Sequence, residues 1–221
     1  MNRTGTAIAA SSQTGEITRD TFVGRVRTVL QTRRAIQPSG DYLLNPTYKD
    51  MFADPSRLKN AAVLMLVIER EEGASVLFTL RTAHLRAHAG QISLPGGKVD
   101  EEDDGPVDAA LREANEEVGL DLSRVTTVGA LGPYMTATGY SVTPVIATVP
   151  SPVDLTLNPQ EVEESFEVPL SFLMNPYNHR EESKVYGGKR VHFYAMPYEG
   201  HYIFGVTAGI LRSIYNKVYT P

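Results

Sequence analysis

The sequence predicts an α+β fold, a mixed sheet flanked by a few helices. Three observations carry this. Two apolar, β-rich runs, "AAVLMLVIE" (61–69) and "ASVLFTLR" (74–81), face each other across a short turn at "REEGA". Segments at either end carry apolar residues at helical spacing. A third helix is framed by Pro106 at its start and Gly119 past its end.

Taken in order, "TRDTFVGRVRTVLQTRR" (18–34) places Phe22, Val26, Val29 and Leu30 on one helical face, with Thr18 or Asp20 as N-cap. A Pro/Gly/Asn-rich connector (37–50) follows. The 61–69 run is apolar from 61 to 68, which predicts a central strand buried on both faces. The stretch through "LPGGKVDEEDDGP" (94–106) reads as a glycine loop, then a helix of about three turns, then a strand in "RVTTVGAL" (124–131). "SVTPVIATV" (141–149) is another strand, with Pro144 suited to an edge or a bulge. "PQEVEESFEVPLSFLM" (159–174) reads as an acidic loop running into a short helix. "KVYGGKRVHFYAM" is a hairpin around Gly187-Gly188. "HYIFGVTAGILRSIYNKV" (201–218) starts as a strand and ends as a helix, with Thr207 as N-cap.

The chain has 221 residues, 42% hydrophobic and 21% charged, with a formal net charge of −5. That balance argues against nucleic-acid binding through bulk positive charge, and no basic run suggests an anionic membrane. Cysteine is absent, which removes disulfides, thiolate nucleophiles and Cys-ligated zinc. No apolar run is long enough to span a bilayer. The small, polar residues 1–16 predict a disordered tail ahead of one domain over 17–221, and the location expected is cytoplasmic.

"LREANEEVGL" (111–120) sets Glu113, Glu116 and Glu117 three and four residues apart, on one helix face. Like charges so placed repel, and a cation between them reverses the sign. Read alone, the cluster is either a solvated acidic face or a cation site. Its surroundings favour the second. Gly96 and Gly97 allow close backbone approach to a ligand, carboxylates suit Mg²⁺, and the planar fork of Arg112 can fix a carboxylate or phosphate. Together they describe metal-assisted attack of water on phosphorus. His84 and His88 have i, i+4 spacing without an evident third ligand, so zinc is disfavoured.

"GGKVDEEDDGPVDAALREANEEVGL" resembles the Nudix box, R-E-U-x-E-E-x-G-U with U aliphatic, at Arg112, Glu113, Ala114, Glu116, Glu117, Gly119 and Leu120. The upstream half departs from the pattern, and Glu102, Asp103 or Asp104 takes the place of its glutamate. "LFTLRTAHLRAHAGQISLPGG" (77–97) resembles the block that precedes the box in the coenzyme A pyrophosphatases of that superfamily, with Arg81, Arg86, Gly96 and Gly97 in register. The resemblance implies a Nudix α/β/α sandwich over 17–221 and Mg²⁺ or Mn²⁺ at Glu113, Glu116 and Glu117. It implies that Arg112 orients the glutamates, that Glu116 or a downstream carboxylate (Glu161 or Glu164) acts as base, and that Arg81, Arg86, Gly96 and Gly97 bind substrate. The implied substrate is coenzyme A or a derivative, split at its diphosphate. ADP-ribose or NADH is the alternative within the fold, and a non-catalytic nucleotide sensor the alternative outside catalysis.

Overall fold

The computed structural model describes residues 17–71, 73–84 and 89–220, so the 1–16 tail, Arg86 and His88 lie outside the described residues. In chain order the elements are α1 (Arg19–Leu30), β1 (Ser39–Gly40), β2 (Lys59–Arg70), β3 (Gly73–Arg81), β4 (Ile92–Ser93), β5 (Gly96–Lys98) and α2 (Pro106–Val118). There follow β6 (Thr126–Ala130), β7 (Tyr134–Met135), β8 (Tyr140–Val149), β9 (Val162–Pro169), α3 (Leu170–Leu173), β10 (Arg180–Tyr186), β11 (Lys189–Tyr198), β12 (His201–Phe204) and α4 (Val206–Tyr219).

β2 is the axis of the main sheet. It pairs parallel with β8 along its length, and antiparallel with β3 at one end and β5 at the other. Strand side chains alternate between faces, and both faces of β2 are apolar. Ala62, Leu64, Leu66 and Ile68 pack on Ala109, Ala110, Ala114 and Val118 of α2. Met65 and Val67 face the opposite way, into a cluster holding Phe22 and Val26 of α1 and Leu211 and Ile214 of α4. The result is the expected three-layer sandwich. A second antiparallel sheet, β10-β11-β12, packs on α4 through residues such as Met196 and Ile203.

The helix signals hold at α1, where the Thr18 hydroxyl accepts from the Thr21 N–H at 3.3 Å, and at α2, which runs from Pro106 to a left-handed Gly119. Four readings are corrected. Gly96-Gly97 belongs to a short strand, β5, rather than a loop. Residues 162–169 form strand β9 on the β3 edge, not an acidic loop. Pro144 lies in a central strand, opposite the break between β6 and β7, where its carbonyl accepts from Leu131 N–H and the ladder is interrupted. Thr207 does not cap α4; its hydroxyl donates to the Ile92 carbonyl, and Gly205 takes the cap position. Among the described residues no helix is long and apolar enough to cross a membrane.

Leu66 is fully buried between β2 and α2. Leu66→Ala should lower unfolding free energy by about 2–5 kcal/mol, read by urea denaturation; a loss under about 1 kcal/mol would mean that this layer does not carry the core.

Candidate active site

Small residues let α2 lie close to the sheet, and β5 is wedged against the helix where it pairs with the start of β2. The wedge is where the glycines matter. A Cβ on Gly96, whose φ is +155°, would stand 2.3 Å from the Ala62 carbonyl oxygen, and one on Gly97 would stand 2.3 Å from Glu113 Oε1. Their use is space for β2 and for a carboxylate, rather than the freedom of a loop.

Three glutamates project from α2 towards this wedge or beside it. Glu117 is 1% exposed. Its Oε2 accepts from Gly96 N–H at 3.3 Å and its Oε1 from Arg81 Nη1 at 3.1 Å. Burial pushes its carboxyl up to about 7, against the opposing pull of Arg81 and the Gly96 N–H, with Glu113 and Glu161 adding to the rise. Burial likewise raises Glu113, although Arg112 opposes it. Glu116 is half exposed and turns to Arg112.

Arg112 is the organiser of the outer half. Nε and Nη2 meet both oxygens of Asp103 at 2.9 and 3.0 Å, and Nη1 reaches Glu113 at 3.1 Å and Glu116 at 3.2 Å. Nη2 also donates to the Lys98 carbonyl. This settles which of Glu102, Asp103 and Asp104 meets Arg112: the Asp103 side chain is 2% exposed, and its bond to Arg112 holds it below the usual carboxylate range.

The downstream glutamates part company. Asn158 N–H donates to the Glu117 carbonyl and Thr156 N–H to that of Val118, which ties the 150–161 segment to the end of α2. That tie brings Glu161 within electrostatic reach of Glu113 and Glu117. Glu164, on β9, bonds His201 Nε2 at 3.3 Å instead.

On the other side of β5 a cleft of about 290 Å³ opens towards α4, with Val63, Leu94, Val142 and Ile210 among its walls and Thr136, Thr138 and Lys98 among its polar lining. Arg81 lines this cleft and also bonds Glu117, so it touches both halves. Thr136 and Thr138 come from a segment with no motif, and sequence reading missed them.

The donor set suits a hard divalent cation: oxygen ligands, two of them on carboxylates whose burial raises the cost of their charge. Among the described residues no three acidic side chains converge on one point. Arg112 spans Glu113 and Glu116, and Arg81 holds Glu117. Mg²⁺ needs only one or two carboxylates besides water and substrate oxygens, so the residues fit it without a closed cage.

Two outcomes test this geometry. Gly97→Ala should change the melting temperature little, because the group it meets is the flexible end of Glu113, yet lower catalytic turnover by moving that carboxylate; unchanged turnover would release Glu113 from the site. A carboxyl raised on folding contributes stability below its unfolded pKa and loses it as pH climbs through its folded value. In EDTA, stability should therefore fall between about pH 4.5 and 7 on account of Glu117, and Glu117→Gln should flatten that fall. Equal slopes in denaturant titrations of the two proteins would contradict the assigned burial.

Comparison with known proteins bears on the same segment. The NUDIX domain family model matches residues 58–186. The protein named "Uncharacterized Nudix hydrolase NudL" in Shigella flexneri is 37% identical over 161 residues, 73% of this chain and 83% of that protein. The protein of the same name in Photorhabdus laumondii is 39% identical over 170 residues, 74% of this chain and 89% of its own. A solved Nudix hydrolase from M. smegmatis, RenU, is 28% identical with a TM-score of 0.42, over 50% of this chain and 70% of that one. The matched span covers more than half of the sequence and contains β5, Arg112 and all of α2, and on that ground the chain belongs to the Nudix family of hydrolases.

Proposed function

We propose that this Nudix hydrolase splits the diphosphate of coenzyme A and its derivatives, giving 4′-phosphopantetheine or its acyl form and adenosine 3′,5′-bisphosphate. The observation that carries the reading is Arg81. It stands in the block resembling coenzyme A pyrophosphatases, lines the mostly apolar cleft, and bonds the buried Glu117. A diphosphate held there would have its bridging bond beside the carboxylates and a long apolar tail along the cleft. Arg86, in the same block, is assigned to substrate phosphates by resemblance alone.

In this mechanism one or two of Glu113, Glu116 and Glu117, with water and substrate oxygens, would hold Mg²⁺ or Mn²⁺, and the ion would lower the pKa of a water and offset charge developing on phosphorus. Arg112, fixed by Asp103, keeps Glu113 and Glu116 oriented. The water oxygen bonds to one phosphorus as the bridging P–O bond breaks, and the bridging oxygen leaves on the other phosphate. The water proton passes to Glu116 or Glu161, the candidates for general base. Of the two downstream carboxylates Glu161 is favoured, since Glu164 is engaged by His201.

The test is a substrate panel of free, acetyl- and long-chain coenzyme A, ADP-ribose and NADH, run with Mg²⁺ and with Mn²⁺. kcat/KM should be highest on a coenzyme A, and a higher value on ADP-ribose or NADH would sink the specificity. No turnover of any member would favour the sensor. Glu116→Gln and Glu117→Gln should each lower kcat by ~10²–10⁴-fold. Because Arg81 adjoins Glu117, its truncation to Ala should weaken coenzyme A and dephospho-coenzyme A alike, by about one to two orders of magnitude in kcat/KM. A loss confined to coenzyme A would place Arg81 on the 3′-phosphate instead.

A further inference from the structure

We propose that a second, basic cleft, on another side of α4, binds a phosphate-class anion at a site separate from the carboxylates of α2. The cleft encloses about 190 Å³ between α4 and the segment that follows α1. Three cations line it: Arg34 from that segment, and Arg212 and Lys217 from α4. No acidic side chain lines it. Among the described residues, none of the three forms an ion pair with a carboxylate. The acidic residue adjoining the cleft in sequence, Asp41, is committed elsewhere. One of its oxygens accepts from the Tyr134 hydroxyl at 2.8 Å and the other from Ala137 N–H at 2.8 Å.

The cations are built in rather than draped over a surface. Lys217 is 7% exposed, and its Nζ donates only to backbone carbonyls, those of Arg34 and Gln37. Arg34 donates to the Asn216 carbonyl. Arg212 gives Nε to Asn216 Oδ1 at 3.0 Å and is braced over the rings of Tyr194 and Tyr215, 5.3 and 5.7 Å from their centroids. Carbonyl dipoles and aromatic faces offset a buried positive charge only in part. Burial, with Arg34 alongside, keeps the Lys217 ammonium below its ordinary range. Three cations with no carboxylate partner among the described residues, in a chain of net charge −5, leave a counter-ion wanting.

The arrangement selects the ligand. Two guanidinium groups and an ammonium match a tetrahedral dianion, whereas a flat carboxylate would answer only one of the three charges. The Ser39 and Ser213 hydroxyls, 2.6 Å apart and bonded to each other across the cleft, leave one O–H as a neutral donor. At about 190 Å³ the cleft is smaller than the one beside β5, at about 290 Å³, which suits a phosphate or phosphomonoester group.

Calorimetric titration with inorganic phosphate, in EDTA and at fixed ionic strength, decides the matter. Wild type should bind saturably, and Arg81→Ala should bind equally well. Arg212→Gln and Lys217→Met should each bind at least about tenfold more weakly, the scale of one charged hydrogen bond. Should Lys217→Met fail to fold, the half-buried Arg212→Gln carries the test. No saturable binding by wild type, an unchanged affinity in Arg212→Gln, or a loss seen in Arg81→Ala alone would each overturn the site. A parallel titration with AMP separates the sources of the phosphate. If the component lost in Arg212→Gln is tighter for AMP than for phosphate, the site takes a nucleotide's phosphomonoester; if it is not, the site takes free phosphate.

Discussion

The close approach of α2 to β2 rests on alanines, Ala109, Ala110 and Ala114 on the helix and Ala62 on the strand, all fully buried. Larger side chains there would push the helix outward. At the present spacing β5 just fits, with glycine required at 96, where a Cβ would meet the Ala62 carbonyl oxygen. Glu113 and Glu117 lie three and seven residues past Ala110 on the same helical side, so they emerge where β5 begins. Glu117 then finds the Gly96 N–H, and Glu113 lies over Gly97. Packing and site are thus one contact. The core brings a carboxylate to a place where water cannot follow, and a carboxyl pushed up to about 7 records what Arg81 and one backbone N–H leave uncompensated.

A second economy lies at the two ends of α2. The last carbonyls of a helix lack partners within it, and here Asn158 and Thr156 supply N–H groups to two of them. The same bonds carry Glu161 towards the acidic face. On the loop before the helix, Asp103 accepts the fork of Arg112 in bidentate fashion. Lysine could not reproduce that planar, two-point grip while reaching Glu113 and Glu116 as well. The side chain that neutralises the helix face is therefore also the one that fixes the loop leading into it.

Much of this was legible in the sequence, for identifiable reasons. The limits of α2 follow from Pro106 and Gly119, and the buried axis follows from a strand apolar on both faces. Both signals are local. β9 was misread because an edge strand bonded to β3 alone tolerates Glu163 and Glu164, and its polarity resembles that of a loop. Gly96-Gly97 was misread because glycine signals a turn when only the chain is considered, whereas here it answers a neighbour 34 residues away in sequence, Ala62. Pro144 depends on where two other strands break. Which of Glu102, Asp103 and Asp104 meets Arg112, and which of Glu161 and Glu164 comes near Glu113 and Glu117, depends on tertiary contacts that no spacing encodes.

The charges around β5 explain why a cation belongs to the chemistry. Asp103, Glu113, Glu116, Glu117 and Glu161 gather there, and two guanidiniums, Arg81 and Arg112, answer them. A partly protonated Glu117 lessens the excess near neutral pH without removing it. A diphosphate is itself anionic, and in a half-buried setting its repulsion from such a cluster is screened far less than in water. A divalent cation entering with the substrate reverses the sign of that interaction. It would also draw Glu117 to its ionised form, since a nearby positive charge favours a carboxylate. On the proposed reading, the like-charge strain on α2 is the unbound half of a binding equilibrium, and the cation and substrate complete the helix.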